Sequence, residues 1–147
     1  MKLAVGSDEI KPVVNFILSL LGKWGHTVTY YGPKENETLP WPTVAEKVAR
    51  AVVKGEVDEG VLMCWTGTGV CIAANKVKGI RAALVDDAET ARGARLWNNA
   101  NLICLSLRKT TDALAEEILT AWFTATYKPN PVDDACLKLV TELEQVA

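Results

Sequence analysis

Short apolar runs rich in β-formers alternate with stretches of 3.6-residue apolar periodicity along the chain, and this alternation restricts the fold more than any other feature. Strand-like runs are Lys2 to Val5, Thr27 to Tyr31, Glu59 to Met63, Arg81 to Val85 and Asn101 to Leu105. Between them lie helical stripes over residues 10–23, with Val13, Val14, Phe16, Ile17, Leu20 and Leu21 in phase, and over 43–54, with Val44, Val48, Ala51 and Val52. Further helices are read from near Gly69, over Ala88 to Leu96, from Thr111-Asp112 to Thr124, and over Val132 to Val146. A β-α-β-α order calls for a parallel sheet with helices on both faces, because each crossover must return the chain to the same sheet edge. The expected fold is therefore α/β, a three-layer sandwich around five parallel strands. Tyr127-Lys128-Pro129-Asn130-Pro131 reads as a hinge that sends the last helix outward onto a partner subunit.

The totals narrow the class. At 147 residues the chain is expected to form a single domain, 1–147, with enough core to need no disulfide or metal. A formal net charge of -2 leaves no basic footprint for nucleic acid, and no apolar stretch is long enough to span a membrane. The N-terminus turns polar at Ser7-Asp8-Glu9, as a first strand does and a signal peptide does not, so a cytoplasmic location is expected. Cys64, Cys71, Cys104 and Cys136 form no C-x-x-C pair, and with one histidine the chain lacks zinc-site spacing. Cys104 and Cys136 read as small core residues.

Residues 60–76 carry the strongest chemical signal. An apolar run ends in Cys64; Trp65 and a loop of Thr66, Gly67, Thr68 and Gly69 follow, and then a helix begins. Open α/β sheets place ligands at the carboxyl ends of their strands, and a glycine loop entering a helix can aim N–H groups at an anion or developing oxyanion. Cys64 there is a base or nucleophile, or else a buried strand-end thiol; position alone leaves both open. Asp8 ends the first strand and faces the same cleft, or caps the first helix. The asparagines of Trp97-Asn98-Asn99-Ala100-Asn101 suit a turn as well as a ligand. His26 lies at the amino edge, away from any such chemistry. Trp41, Trp65 and Trp97 are placed in loops near the cleft, and Trp24 and Trp122 in helix packing.

These residues resemble the type B ribose-5-phosphate isomerases and their galactose-6-phosphate isomerase relatives nearly end to end. The resemblance rests on Gly6-Ser7-Asp8, Trp41-Pro42, Cys64 with Thr66 to Gly69, Ile72-Ala73-Ala74-Asn75-Lys76, Gly79-Ile80-Arg81-Ala82-Ala83, Asn98 to Asn101, and Arg108. It implies a Rossmann-like sheet, a homodimer (a tetramer being the alternative) whose sites draw on both subunits, and aldose–ketose isomerisation through a cis-enediolate without metal or cofactor. It implies that Cys64 moves the proton between carbons 1 and 2, that Thr66 and the Gly67 to Gly69 amides stabilise the enediolate, that Asp8 contacts substrate hydroxyls, and that Asn98 and Arg108 bind substrate.

The chain also departs from the family. Glu9 stands where the family has histidine after Asp8, Trp97 where it has its ring-opening histidine, and Asn130 to Ala135 where it has phosphate-binding arginines. Glu9, Asp133 and Asp134 repel a phosphate rather than hold it. Trp65, replacing a usual glycine, narrows the pocket, and with Trp41 and Trp97 makes its walls aromatic. The expected substrate is a short, acyclic or non-phosphorylated sugar. The alternatives are an ordinary sugar phosphate bound through a rebuilt site of Lys109, Lys128 or a partner's Arg108, and a non-catalytic ligand-binding relative.

Overall fold

The computed structural model describes residues 1–145 and contains one five-stranded, all-parallel sheet. The strands are β1 (Lys2–Ser7), β2 (Thr27–Tyr30), β3 (Glu59–Cys64), β4 (Ala82–Leu84) and β5 (Leu102–Ser106). The helices are α1 (Pro12–Lys23), α2 (Trp41–Val53), α3 (Thr68–Asn75), α4 (Ala88–Asn98), α5 (Asp112–Thr124) and α6 (Pro131–Leu143). The α/β architecture read from the sequence is the one observed. The expected helix end at Val146 lies outside the described residues.

The sheet order is β2-β1-β3-β5-β4. The chain leaves β1 for one edge and returns to β1's other side as β3, so β1 and β3 meet where the winding reverses. A crevice opens outside the carboxyl ends of neighbouring strands at such a reversal. Their register ends at Ser7 opposite Met63, which sets Asp8 and Cys64 at adjacent strand ends.

The three central strands are buried on both faces, so they read as continuous apolar runs rather than alternating ones. Leu3, Val5, Val61, Met63, Ile103 and Leu105 face α1, α4 and α5 in one core. Ala4, Leu62, Cys64, Leu102 and Cys104 face α2 and α3 in the other. Cys64 thus points into the α2–α3 layer, and its neighbours decide what it can reach.

Four details differ from the sequence reading. Trp41 is the first residue of α2 and Trp97 is helical, because α4 runs on to Asn98 and closes only at Asn99 in the left-handed conformation. Trp24 is 37% exposed at the end of α1, touching Phe123 edge-on, whereas Trp122 is fully buried as expected. Cys136 is exposed, since α6 buries none of its residues in this chain. Among the described residues, no helix is long and apolar enough to cross a membrane.

Candidate active site

The loop after β3 is held by backbone bonds to its neighbours. The Cys64 carbonyl accepts from Gly67 N at 3.2 Å and from Leu107 N at 2.9 Å, and the Trp65 carbonyl accepts from Ser106 Oγ at 2.8 Å and Arg108 N at 3.0 Å. The link between β5 and α5 therefore fixes the height of the loop over the sheet. Ser106 had no sequence signal beyond its place at a strand end. Gly67 takes φ +76°, and a Cβ there would fall 2.9 Å from the Leu105 carbonyl carbon, so only glycine fits.

Because its amide is spent on the Cys64 carbonyl, Gly67 does not offer an N–H to a ligand, contrary to the sequence expectation. Thr68, Gly69 and Val70 precede the first amide that finds an acceptor within the turn, Cys71 N to Gly67 O, so their N–H groups point out along the axis of α3. Thr66 and Thr68 join hydroxyls at 2.7 Å across the mouth of this helix. An anion developing beside Cys64 would meet these donors and the positive end of α3.

Trp41 roofs the loop: a Cβ on Gly69 would lie 3.0 Å from its ring. Trp65 stands beside Cys64 with more than half its surface exposed. Cys64 itself is a free thiol, 4% exposed.

Asp8 and Glu9 close the β1 side. Burial first, and the neighbouring Glu9 second, raise the Asp8 carboxyl above its usual value. Glu9 pairs with Lys11 at 3.6 Å, so that lysine is turned to Glu9. Residues 32–39 cross over this corner, tied by Leu39 N to the Asp8 carbonyl at 3.0 Å and by a bridge between Glu9 and Thr38. Tyr30 ends β2 beneath this crossing, its hydroxyl against Gly32, and sequence reasoning missed it.

Two candidates lie elsewhere. Trp97 and Asn98 line a groove of about 480 Å³ along α4 with Ala83, Leu84, Glu89 and Thr90. Leu84 of this groove packs on Gly67 of the loop, but Trp97 and Asn98 close α4 at the amino edge of the sheet, the edge opposite Cys64. Of the asparagines, Asn99 and Asn101 are structural: Asn101 Oδ1 accepts from Arg81 N at 2.8 Å, and the Asn99 carbonyl accepts from Arg81 Nε. Only Asn98 stays exposed.

The cations are equally scattered. The Arg108 side chain is exposed beside the Trp65 carbonyl that its amide binds. Lys109 pairs with Asp86 at 3.6 Å, and Lys128 lines a separate groove with Arg92 and Leu96. Asp133 and Asp134 serve the first turn of α6: Asn130 caps Asp133 N at 2.9 Å, and Tyr127 donates to Asp134. His26 sits at the amino edge, within 3.1 Å of the N-terminal amine, with its ring on Phe123.

Behind the loop, Cys71 bonds the Ala82 carbonyl at 3.5 Å and receives Asn75 Nδ2 at 3.6 Å. A hydrogen bond with the Cys104 thiol, and the one from Asn75, pull the Cys71 thiol down to about 7, while complete burial pushes Cys104 up.

Comparison with known proteins places the chain in a family. Residues 3–135 match the model of the Ribose/Galactose Isomerase family. The chain is 40% identical to galactose-6-phosphate isomerase subunit LacB of Clostridium acetobutylicum over 97% of its length and 83% of that protein. It is also 40% identical to D-erythrulose-4-phosphate isomerase of Pectobacterium atrosepticum, over 87% of this chain and 86% of that one. The structure of Clostridium thermocellum ribose-5-phosphate isomerase B superposes with a TM-score of 0.94 at 36% identity, covering 99% of this chain and 98% of the other. With the family model matched over residues 3–135 and the fold shared nearly end to end, the chain belongs to the ribose/galactose isomerase family.

Proposed function

We propose that the protein is an aldose–ketose isomerase of short, open-chain sugars, acting through a cis-enediolate with Cys64 as the base. One observation carries this reading: Cys64 and Asp8 end neighbouring strands where the sheet reverses, beside a helix N-terminus whose first amides are free to face an oxyanion. As thiolate, Cys64 takes the proton from the carbon next to the carbonyl; the electron pair moves to the oxygen and gives the enediolate. The hydroxyl proton passes between the two enediolate oxygens, and returning the carbon proton to the former carbonyl carbon gives the isomer. Thr68, Gly69 and Val70 amides and Thr66 hold the oxygens, and Asp8 orients a substrate hydroxyl.

The shortness of the substrate follows from what the ring-opening position offers. Trp97 can neither donate to nor take a proton from a hemiacetal, and a four-carbon sugar substituted on its terminal oxygen cannot close a five-membered ring. The P. atrosepticum relative is named for such a compound. The groove of Trp97 and Asn98 is proposed to complete the Cys64 site of a second copy in a homodimer, which light scattering at micromolar concentration tests; a strict monomer would contradict it.

Whether the tail carries phosphate divides two readings. Glu9, Asp133 and Asp134 favour an uncharged tail. The names of the relatives favour a phosphate, which would then have to use Arg108, whose amide binds the Trp65 carbonyl of the loop. Deuterium wash-in followed by NMR decides. The protein is incubated in D2O with free and phosphorylated four- to six-carbon aldoses and ketoses, beside Cys64→Ala. Cys64-dependent exchange next to the carbonyl is expected, fastest with a four-carbon sugar. Exchange unaffected by Cys64→Ala would rule out the base, and a strict need for phosphate would rule out the uncharged tail.

A further inference from the structure

Two side-chain oxygens among the described residues are buried without a hydrogen-bond partner, Asp8 Oδ1 and Tyr30 Oη, and they lie in the same corner of the molecule. Tyr30 ends β2 opposite Val5 of β1, and its ring packs against the core between the sheet and α1. A Cβ built on Gly32 would fall 2.2 Å from Tyr30 Oη and 2.6 Å from the Ser7 carbonyl. The hydroxyl therefore lies beneath the turn in which Ser7 leads into Asp8, under the crossing of residues 32–39.

A phenylalanine would fill this place without cost. A buried hydroxyl with no partner is costly, a buried carboxylate oxygen with none is more so, and two such groups in one corner can satisfy each other at once. The electrostatics agree: the Asp8 carboxylate is among the causes that raise the Tyr30 hydroxyl above its ordinary value, after burial. The charged groups facing Asp8 are Glu9, and Lys11 through its pairing with Glu9; neither reaches the buried oxygen with a hydrogen bond.

We propose that Tyr30 is a positioning residue for Asp8: its hydroxyl donates to Oδ1, directly or through one bridging water, and thereby holds Oδ2 toward the substrate. This assignment rests on the isomerase reading only for its consequence, that Asp8 presents one oxygen in one orientation to a substrate hydroxyl. The Tyr30–Asp8 pair itself does not depend on which sugar is bound, or on whether one is.

The test is Tyr30→Phe, which keeps the ring and its packing. Asp8 is followed by carboxyl-carbon NMR in the substrate-free protein, with Asp8→Asn to assign the signal. Loss of the donor removes an interaction with the charged form, so the Asp8 midpoint is expected to rise by about one pH unit. An unchanged midpoint overturns the pair. In D2O exchange with the best sugar of the panel, the acid limb of the rate profile is expected to move by the same amount, with kcat falling more than KM changes. A lower melting temperature with an unmoved limb means that Tyr30 only packs, and overturns the positioning role. If no sugar exchanges at all, the isomerase reading fails while the NMR titration still decides the pair.

Discussion

The two ends of the sheet treat buried polarity in opposite ways. At the amino end, Glu59 opens β3 and accepts Trp122 Nε1 at 2.9 Å and Arg95 at 2.8 Å. Arg95 donates onward to the carbonyls of Ala100 and Ala125 and lies over the Trp122 ring at 4.9 Å. Each charge there has a partner and each partner is packed. At the carboxyl end, Asp8 Oδ1 and Tyr30 Oη have none, Gly67 is in the left-handed region, and Trp41 and Trp65 stand exposed. Satisfied polarity at one end holds the layers together. Unsatisfied polarity at the other is what a substrate or a small rearrangement can use.

This contrast predicts that substitutions at the two ends separate activity from stability. The largest effect is expected at Cys64. Cys64→Ala should lower D2O exchange by about 10²–10⁴-fold, the range for losing a proton-transfer group, with the melting temperature moving by no more than a few degrees. Cys71 makes a sharper control than wild type alone, because its hydrogen bonds pull its thiol down to about 7. Iodoacetamide labelling read by mass spectrometry should modify Cys71 with a midpoint near that value and spare the fully buried Cys104. If Cys71→Ser rather than Cys64→Ala ends exchange, the base has been assigned to the wrong thiol.

The opposite outcome is expected at the other end. Arg95→Met leaves Glu59 charged and buried with only the Trp122 N–H, a loss of about 3–5 kcal/mol. For a chain of this size that is a fall in melting temperature of roughly 10 °C, readable by calorimetry. The rate per folded molecule should be unchanged, and a large fall in that rate at a temperature where the variant is folded would break the separation of the two ends.

How far the sequence could be read follows the same division. Continuous apolar runs betray strands buried on both faces, so β1, β3 and β5 were legible, as was a thiol at a strand end before a glycine loop. The pairing of Glu59 with Arg95 was not, because it joins the start of a strand to the end of a later helix. Nor was the role of Tyr30, whose burial depends on residues 32–39 crossing over it. Trp97 reads into a loop near the cleft, and the family resemblance places Asn98 there. A helix that leads into a parallel strand ends at the amino edge of the sheet, and that edge puts them in a groove away from Cys64.

A change of intermediate size concerns the tail of the substrate. Glu9→His removes a negative charge beside Asp8 and supplies a donor, so it should tighten the binding of a phosphorylated sugar by about tenfold, or 1.4 kcal/mol. Isothermal titration with paired free and phosphorylated sugars measures it. No gain for the phosphorylated member would mean that Glu9 does not set the discrimination against phosphate.

The smallest effect tests the contrast most directly, because it asks whether the carboxyl end is held at a cost. Burial raises the Asp8 carboxyl, so the folded chain keeps this proton to higher pH than the unfolded chain does. The resulting stabilisation is fully present below the unfolded value of 3.8 and is lost as pH rises through the folded one. At neutral pH the charged Asp8 therefore lowers stability. Asp8→Asn should raise the melting temperature at pH 7 by about 1–2 °C, with the gain disappearing toward pH 3, while exchange falls. A melting temperature that drops at pH 7 would mean that the Asp8 charge contributes to the fold as Glu59 does, and that the two ends of the sheet differ less than their hydrogen bonds imply.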